Sequence, residues 1–191
     1  MEDEAGTSEV RVKGSKKRTP VGTMIHQQKY VKELLKRFSM EEAMEIRTPI
    51  GKTTILDLDE KGPFMEQKLY RGMIGSLLYL TTSRPGIIFS VILYVRFQVD
   101  PNESYLKYVK RIFRYIKGTT DLGLWYPKGS NFKLVGYVDA NYASYLVDRK
   151  STTGMTHFLR SCLISWSTKK KNFAALSTAE AEYVDAGSCC A

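Results

Sequence analysis

Cysteine and histidine are scarce in this chain. Three cysteines, Cys162, Cys189 and Cys190, and two histidines, His26 and His157, are spread over 191 residues. That is too few cysteines, too closely clustered, for a disulfide framework, and no Cys/His spacing matches a zinc site. A reducing, intracellular setting, cytoplasmic or nuclear, is therefore expected. Long apolar runs are missing as well. The longest, 73–80 and 87–95, are bracketed by Arg71, Arg84 and Arg96 and fall far short of the roughly 20 residues that span a bilayer. The opening Met1-Glu2-Asp3-Glu4 lacks the charged-then-apolar plan of a secretory signal. No membrane association is expected.

Positive charge is what the chain has in excess. Lysine and arginine number 29 against 20 acids, for a formal net charge of +9, and the aromatic residues include 12 tyrosines. A basic, tyrosine-rich surface suits an anionic partner, and nucleic acid fits best. The hydrophobic share of 43% is ordinary for a globular core.

Along the chain, residues 1–20 mix acids with Arg11, Lys13, Lys16, Lys17 and Arg18 around only Val10 and Val12. Such a stretch buries too little apolar surface to offset its ordering entropy, so a disordered tail is expected. Residues 21–118 read as helical. Val31, Leu34, Leu35 and Phe38 form an amphipathic stripe over 28–40, Leu69, Met73, Leu77 and Leu80 another over 67–82, and 86–99 is apolar all round. A linker is expected over 50–63. Asn102 stands before a helix over 103–117 in which Leu106, Val109, Phe113 and Ile116 are the buried stripe. Lys107, Lys110, Arg111, Arg114 and Lys117 are its basic face, either solvated or following a phosphate backbone. Gly118 is placed to end it in the left-handed conformation.

After Gly118 the period changes to two. Strands are expected over 121–126, 132–138, 153–159 and 162–167, a basic turn at Lys169-Lys170-Lys171, and a helix capped by Ser177 with Glu180 completing a capping box. Residues 119–191 thus form a second unit, and the class is α+β.

Particular residues carry a resemblance. Tyr70-Arg71-Gly72-Met73-Ile74-Gly75-Ser76-Leu77-Leu78-Tyr79-Leu80, Ser83-Arg84-Pro85 and 109–119 resemble the end of the reverse transcriptase region in copia-type retrotransposon polyproteins. Gly136-Tyr137-Val138-Asp139-Ala140, Asp148-Arg149-Lys150-Ser151-Thr152-Thr153-Gly154, Ser165-Trp166-Ser167 and 176–183 resemble the ribonuclease H that follows it. The resemblance implies a helical connection or thumb-like segment followed by an incomplete ribonuclease H-like fold of three antiparallel strands and a helix. The family activity is RNA-directed DNA synthesis and hydrolysis of RNA in RNA–DNA hybrids. Asp139 and Glu182 match two of its catalytic, Mg²⁺-holding acids. The third acid belongs to a strand beyond the chain's last residue, and the polymerase aspartates lie before its first. The chain is accordingly expected to be catalytically incomplete and not to retain Mg²⁺.

Two alternatives stand beside this expectation. One is a ribonuclease H completed by a partner chain or by a local acid, Asp148 or Asp185. The other is a binding module that holds RNA–DNA hybrid or single strands through the basic helix and Lys169, Lys170 and Lys171. The strand over 132–138, lacking its parallel neighbours, would present an unpaired edge open to self-association.

Overall fold

A computed structural model describes residues 14–51, 66–129, 133–141, 152–171 and 177–190. Most of the expected tail (1–13), most of the linker (52–63) and Asp148 lie outside the described residues. The elements in order are strands β1 (Ser15–Thr19) and β2 (Gly22–His26), helices α1 (Gln28–Arg37) and α2 (Gln67–Thr81), and a single 3-10 turn (Pro85–Ile87). Helices α3 (Ile88–Val95) and α4 (Glu103–Lys117) follow, then strands β3 (Gly123–Pro127), β4 (Leu134–Asn141), β5 (Thr152–Leu159) and β6 (Cys162–Lys170), and helix α5 (Thr178–Cys190). Two antiparallel three-stranded sheets result, ordered β1-β2-β3 and β4-β5-β6. No helix among the described residues is long and apolar enough to cross a membrane.

The four helices α1–α4 share one core. Val31, Leu34 and Leu35 of α1, Met73, Leu77 and Leu80 of α2 and Leu106, Val109, Phe113 and Ile116 of α4 are buried in it as their spacing predicts. Leu69 is the exception, at 37% exposed. The buried row of α2 runs instead through Tyr70, Met73, Ile74, Leu77 and Leu80, so the helix is turned by one residue to bury the larger tyrosine. The Asn102 side chain caps α4, accepting from the Tyr105 N–H at 3.4 Å. The apolar stretch expected as one helix over 86–99 is shortened to a 3-10 turn and two turns of α3, because proline opens it.

Two helix ends differ from expectation. Gly118 keeps right-handed angles, φ −69° and ψ −4°, so its lack of a Cβ is not needed for a left-handed cap. The left-handed cap is at Ser39, φ 53°, after α1. There the Met40 N–H returns to the Leu35 carbonyl and the Ser39 N–H to that of Lys36, which satisfies carbonyls the helix would leave open.

The first sheet corrects both ends of the expected division. Residues 15–19, assigned to a disordered tail, form β1, because they pair along their whole length with β2. Thr19 and Gly22 close the turn, with the Thr19 hydroxyl bonded to the Gly22 carbonyl and N–H. Strand β3 then pairs with β2, so residues 123–127 complete the N-terminal sheet and do not open the C-terminal one. Glycine is required at 22, where a Cβ would lie 2.5 Å from the Trp125 ring.

The Ser83-Arg84-Pro85 triplet holds these pieces together. The Ser83 hydroxyl donates to Gln27 Oε1 at 2.6 Å, tying α2 to the start of α1. The buried Arg84 guanidinium donates to the carbonyls of Thr119 and Thr120, fixing the path from α4 into β3. Trp166 of β6 docks the second sheet onto this body: its indole N–H donates to the Thr81 carbonyl at 2.9 Å, and its ring is buried with Ile25 and Leu124. Nearby the Tyr126 hydroxyl donates to the Leu163 carbonyl at 2.8 Å.

Burial in the helical core sets an alkaline limit on stability. Desolvation raises the phenols of Tyr70 and Tyr94 well above their usual range, with neighbouring tyrosines adding to it, and the Tyr70 hydroxyl donates to the Tyr94 carbonyl at 2.9 Å. In the unfolded chain both titrate near pH ~10. Their contribution to stability is full below that pH and is lost progressively above it, since the unfolded chain releases protons that the folded chain retains. The urea midpoint should therefore fall as pH rises from about 9.5 to 11, with a shallower fall in Tyr70→Phe. A midpoint that stays level over that interval would refute the assignment.

Candidate functional site

The second sheet carries both candidate acids. On β4 the alternation of side chains puts Val135, Tyr137 and Asp139 on one face and Gly136 and Val138 on the other. Helix α5 covers the second of these faces. A Cβ on Gly136 would lie 2.7 Å from Cys189 Sγ, so the glycine is what lets the helix approach.

Asp185 anchors α5. Its carboxylate is fully buried, accepts from the Thr153 hydroxyl at 2.7 Å on each oxygen, and is ion-paired with Lys171 Nζ. One helical turn on, Cys189 Sγ lies 3.6 Å from His157 Nε2. Contacts in step along Thr153–Asp185 and His157–Cys189 mean that α5 runs parallel to β5. Its first turn, capped where the Glu180 N–H donates to Ser177 Oγ at 3.1 Å, therefore lies at the end of the sheet where β4 finishes.

Asp139 and Glu182 accordingly lie at the same end of the sheet but on different sides. Asp139 is exposed on the face away from α5, and Glu182 is exposed on α5 itself. A divalent ion requires several oxygens aimed at one point. Among the described residues, which do not include Asp148, no group of three or more His, Cys, Asp and Glu side chains could hold a metal ion. Asp185, one of the local acids considered as a further ligand, is committed to Thr153 and Lys171.

The basic candidates divide in the same way. On α4, Lys107 and Lys110 are exposed, the former in a solvent-screened pair with Glu103 at 3.5 Å. The remaining cations face the chain itself. Arg111 donates to Thr48 Oγ1 at 3.0 Å, Arg114 to the Met44 carbonyl at 2.7 Å and Lys117 to the Ala43 carbonyl at 3.0 Å. Together they hold the 43–48 segment against the helix. Lys169 and Lys170 belong to β6 and not to a turn, because β5 continues to pair with them. Lys169 is exposed, and Lys171 is drawn in to pair with Asp185. Sequence reasoning considered Asp185 only as a possible metal ligand and not as this structural anchor, although Ala181, Asp185 and Cys189 recur at four-residue spacing on one helix face.

Comparison with known proteins gives the ancestry. Over 167 residues, 87% of its length, the chain is 37% identical to the retrovirus-related Pol polyprotein from transposon RE1 of Arabidopsis thaliana and covers 11% of it. Over 179 residues it is 36% identical to the retrovirus-related Pol polyprotein from transposon TNT 1-94 of Nicotiana tabacum, covering 90% of this chain and 13% of that protein. The chain belongs to the copia-type retrotransposon Pol polyprotein family. An uncharacterised mitochondrial protein of Arabidopsis thaliana is 30% identical over 167 residues, 86% of this chain and 68% of that protein. No family model and no solved structure gives a significant match. The chain therefore spans 11 to 13% of the length of the Pol polyproteins it matches.

Proposed function

We propose that this chain is the stretch of a copia-type Pol polyprotein in which the reverse transcriptase region passes into ribonuclease H, and that by itself it holds RNA–DNA hybrid without cutting it. The second half is supported by Asp139 being exposed on the β4 face away from α5 while Glu182 is exposed on α5, and by the ion pair of Asp185 with Lys171. Support for the first half comes from the order of parts. A helical body is followed by three antiparallel strands and a helix, with Asp139 on the first of those strands. Hybrid would lie along the exposed cations Lys107, Lys110 and Lys169, with Lys107 exchanging its solvent-screened pair with Glu103 for a phosphate, whereas Arg111, Arg114 and Lys117 keep the 43–48 segment in place.

The test joins binding and cleavage on one labelled RNA–DNA hybrid. Binding should weaken steeply with salt, and Lys107→Gln with Lys110→Gln should lower the log–log salt slope by about 0.9 for each phosphate no longer neutralised. With Mg²⁺ present, the wild-type chain and Asp139→Asn should leave the RNA strand equally intact. Cleavage by the wild type that disappears in Asp139→Asn would show instead that the acids do assemble a working site.

A further inference from the structure

The face of β4 and β5 that α5 leaves open carries a groove. Val135, Tyr137, Thr156, Phe158, Arg160 and Ser161 line a groove of about 530 Å³. Its floor is aromatic: the Tyr137 and Phe158 rings meet edge to face at 5.7 Å, and Tyr137 is 61% exposed. At the other edge of the sheet the same face is closed by Trp166 and the helical body. The groove is what the described residues leave uncovered.

Positive charge rims this aromatic floor at one end. Arg160 sits in the β5–β6 turn with a left-handed backbone, φ 61°, and its N–H donates to the Lys133 carbonyl at 2.7 Å. That bond sets Lys133, exposed at the start of β4, beside it. The Arg160 guanidinium also lies against Gly129, which follows the exposed Lys128. Arg160 thus lines the groove beside the aromatic floor, with the exposed Lys133 and Lys128 adjacent to it along the chain path. Among the described residues of β4 and β5 the acid on this face is Asp139, toward the opposite end of the groove and two residues along β4 from Tyr137.

We infer that this groove is a stacking platform for single-stranded nucleic acid, with a base laid on the exposed Tyr137 ring and the flanking phosphates held by Lys133, Arg160 and Lys128. A flat aromatic ring beside long, flexible cationic side chains suits this partner, because any base has a π-face to stack and its phosphates demand charge. Asp139 at the far end keeps phosphates toward the cationic rim. The platform rests on the reading above only in taking the partner to be nucleic acid. It lies on the other face of the sheet from α5 and uses none of the α4 cations.

The experiment measures fluorescence polarisation of a labelled oligothymidylate of about 20 nucleotides, enough for one such site, with the full chain. Tyr137→Ala should weaken binding about 5- to 150-fold, and Tyr137→Phe, which keeps the ring, should leave it within about twofold. Replacing Lys133 and Arg160 by Gln should reduce the salt slope by about 0.7 for each cation that contacts a phosphate. This second arm tests the platform even if Tyr137→Ala unfolds.

Unchanged affinity in Tyr137→Ala, or equal losses in Tyr137→Ala and Tyr137→Phe, would overturn the platform. So would dimerisation abolished by Tyr137→Ala in a chain that binds no oligonucleotide, which would make the groove a contact between copies. The hybrid arm keeps the two readings separate. Hybrid binding that depends on Lys107 and Lys110, without single-strand binding, removes the platform alone; loss of both removes both.

Discussion

Replacing Asp185 with alanine is expected to destabilise the sheet–helix part by about 3–5 kcal/mol. The Asp185 side chain has no exposed surface, and the Lys171 side chain that pairs with it is 14% exposed. Removing the acid alone leaves a largely buried lysine without its counter-charge and a Thr153 hydroxyl without its acceptor, and both penalties act in the folded state. The pair itself is a poor source of net stability, because desolvating two charges offsets much of their attraction. A combined Asp185→Leu, Lys171→Met, Thr153→Val chain should therefore recover most of the loss. Urea unfolding followed by far-UV circular dichroism would measure both. A loss below about 1 kcal/mol in Asp185→Ala, or an equal loss in the combined variant, would mean that the pair is not buried as described.

Trp166→Ala should cost about 3–5 kcal/mol and, more tellingly, should uncouple the two sheets. The indole is 6% exposed and is the residue through which the second sheet both packs against Ile25 and Leu124 and hydrogen-bonds to the end of α2. In Trp166→Phe the ring is largely retained and the Thr81 carbonyl loses its donor, so a smaller loss of about 1–2 kcal/mol is expected. Unfolding of the wild type, monitored by tyrosine fluorescence and by circular dichroism, should give coincident transitions that separate in Trp166→Ala. Coincident curves in that variant would place the coupling elsewhere, for example on Tyr126 and Leu163.

The parts of this fold that were legible in the sequence are those whose cause is local. Helix α4 combines an asparagine cap, an apolar stripe and a polar face within one window, and its bounds agree with expectation at both ends. The run of β4, β5 and β6 followed by a capped helix was equally visible, since period-two alternation and the Ser177–Glu180 box are short-range signals. What stayed hidden depends on distant residues. Strand β1 reads Ser-Lys-Lys-Arg-Thr, with nothing apolar in it, and becomes a strand only because β2 is held from its other side by β3.

The same limit applies to the charged residues. Lysines at 169–171 look alike in sequence, yet the fold gives Lys169 to solvent and Lys171 to Asp185. Nothing local distinguishes Arg111, Arg114 and Lys117 from Lys107 and Lys110 either. The difference is made by the 43–48 segment, which arrives from more than sixty positions away to use their donors. Of the candidate acids, the strand position of Asp139 was readable, whereas the facing of Asp139 away from α5 required the register of β4 on β5.

The pairing of β2 with β3 joins residues separated by about a hundred positions, so forming it closes a long loop whose entropic cost rises only slowly with length but must be met late. During synthesis at about 5–20 residues per second, the β1–β2 hairpin emerges on the order of ten seconds before the strand that completes its sheet. In that interval the inner edge of β2 is open, and the hairpin waits for a partner strand made about a hundred residues later. The lysines and arginine of β1 on the opposite edge are a suitable guard for such a wait, because like charges discourage two nascent hairpins from zipping together.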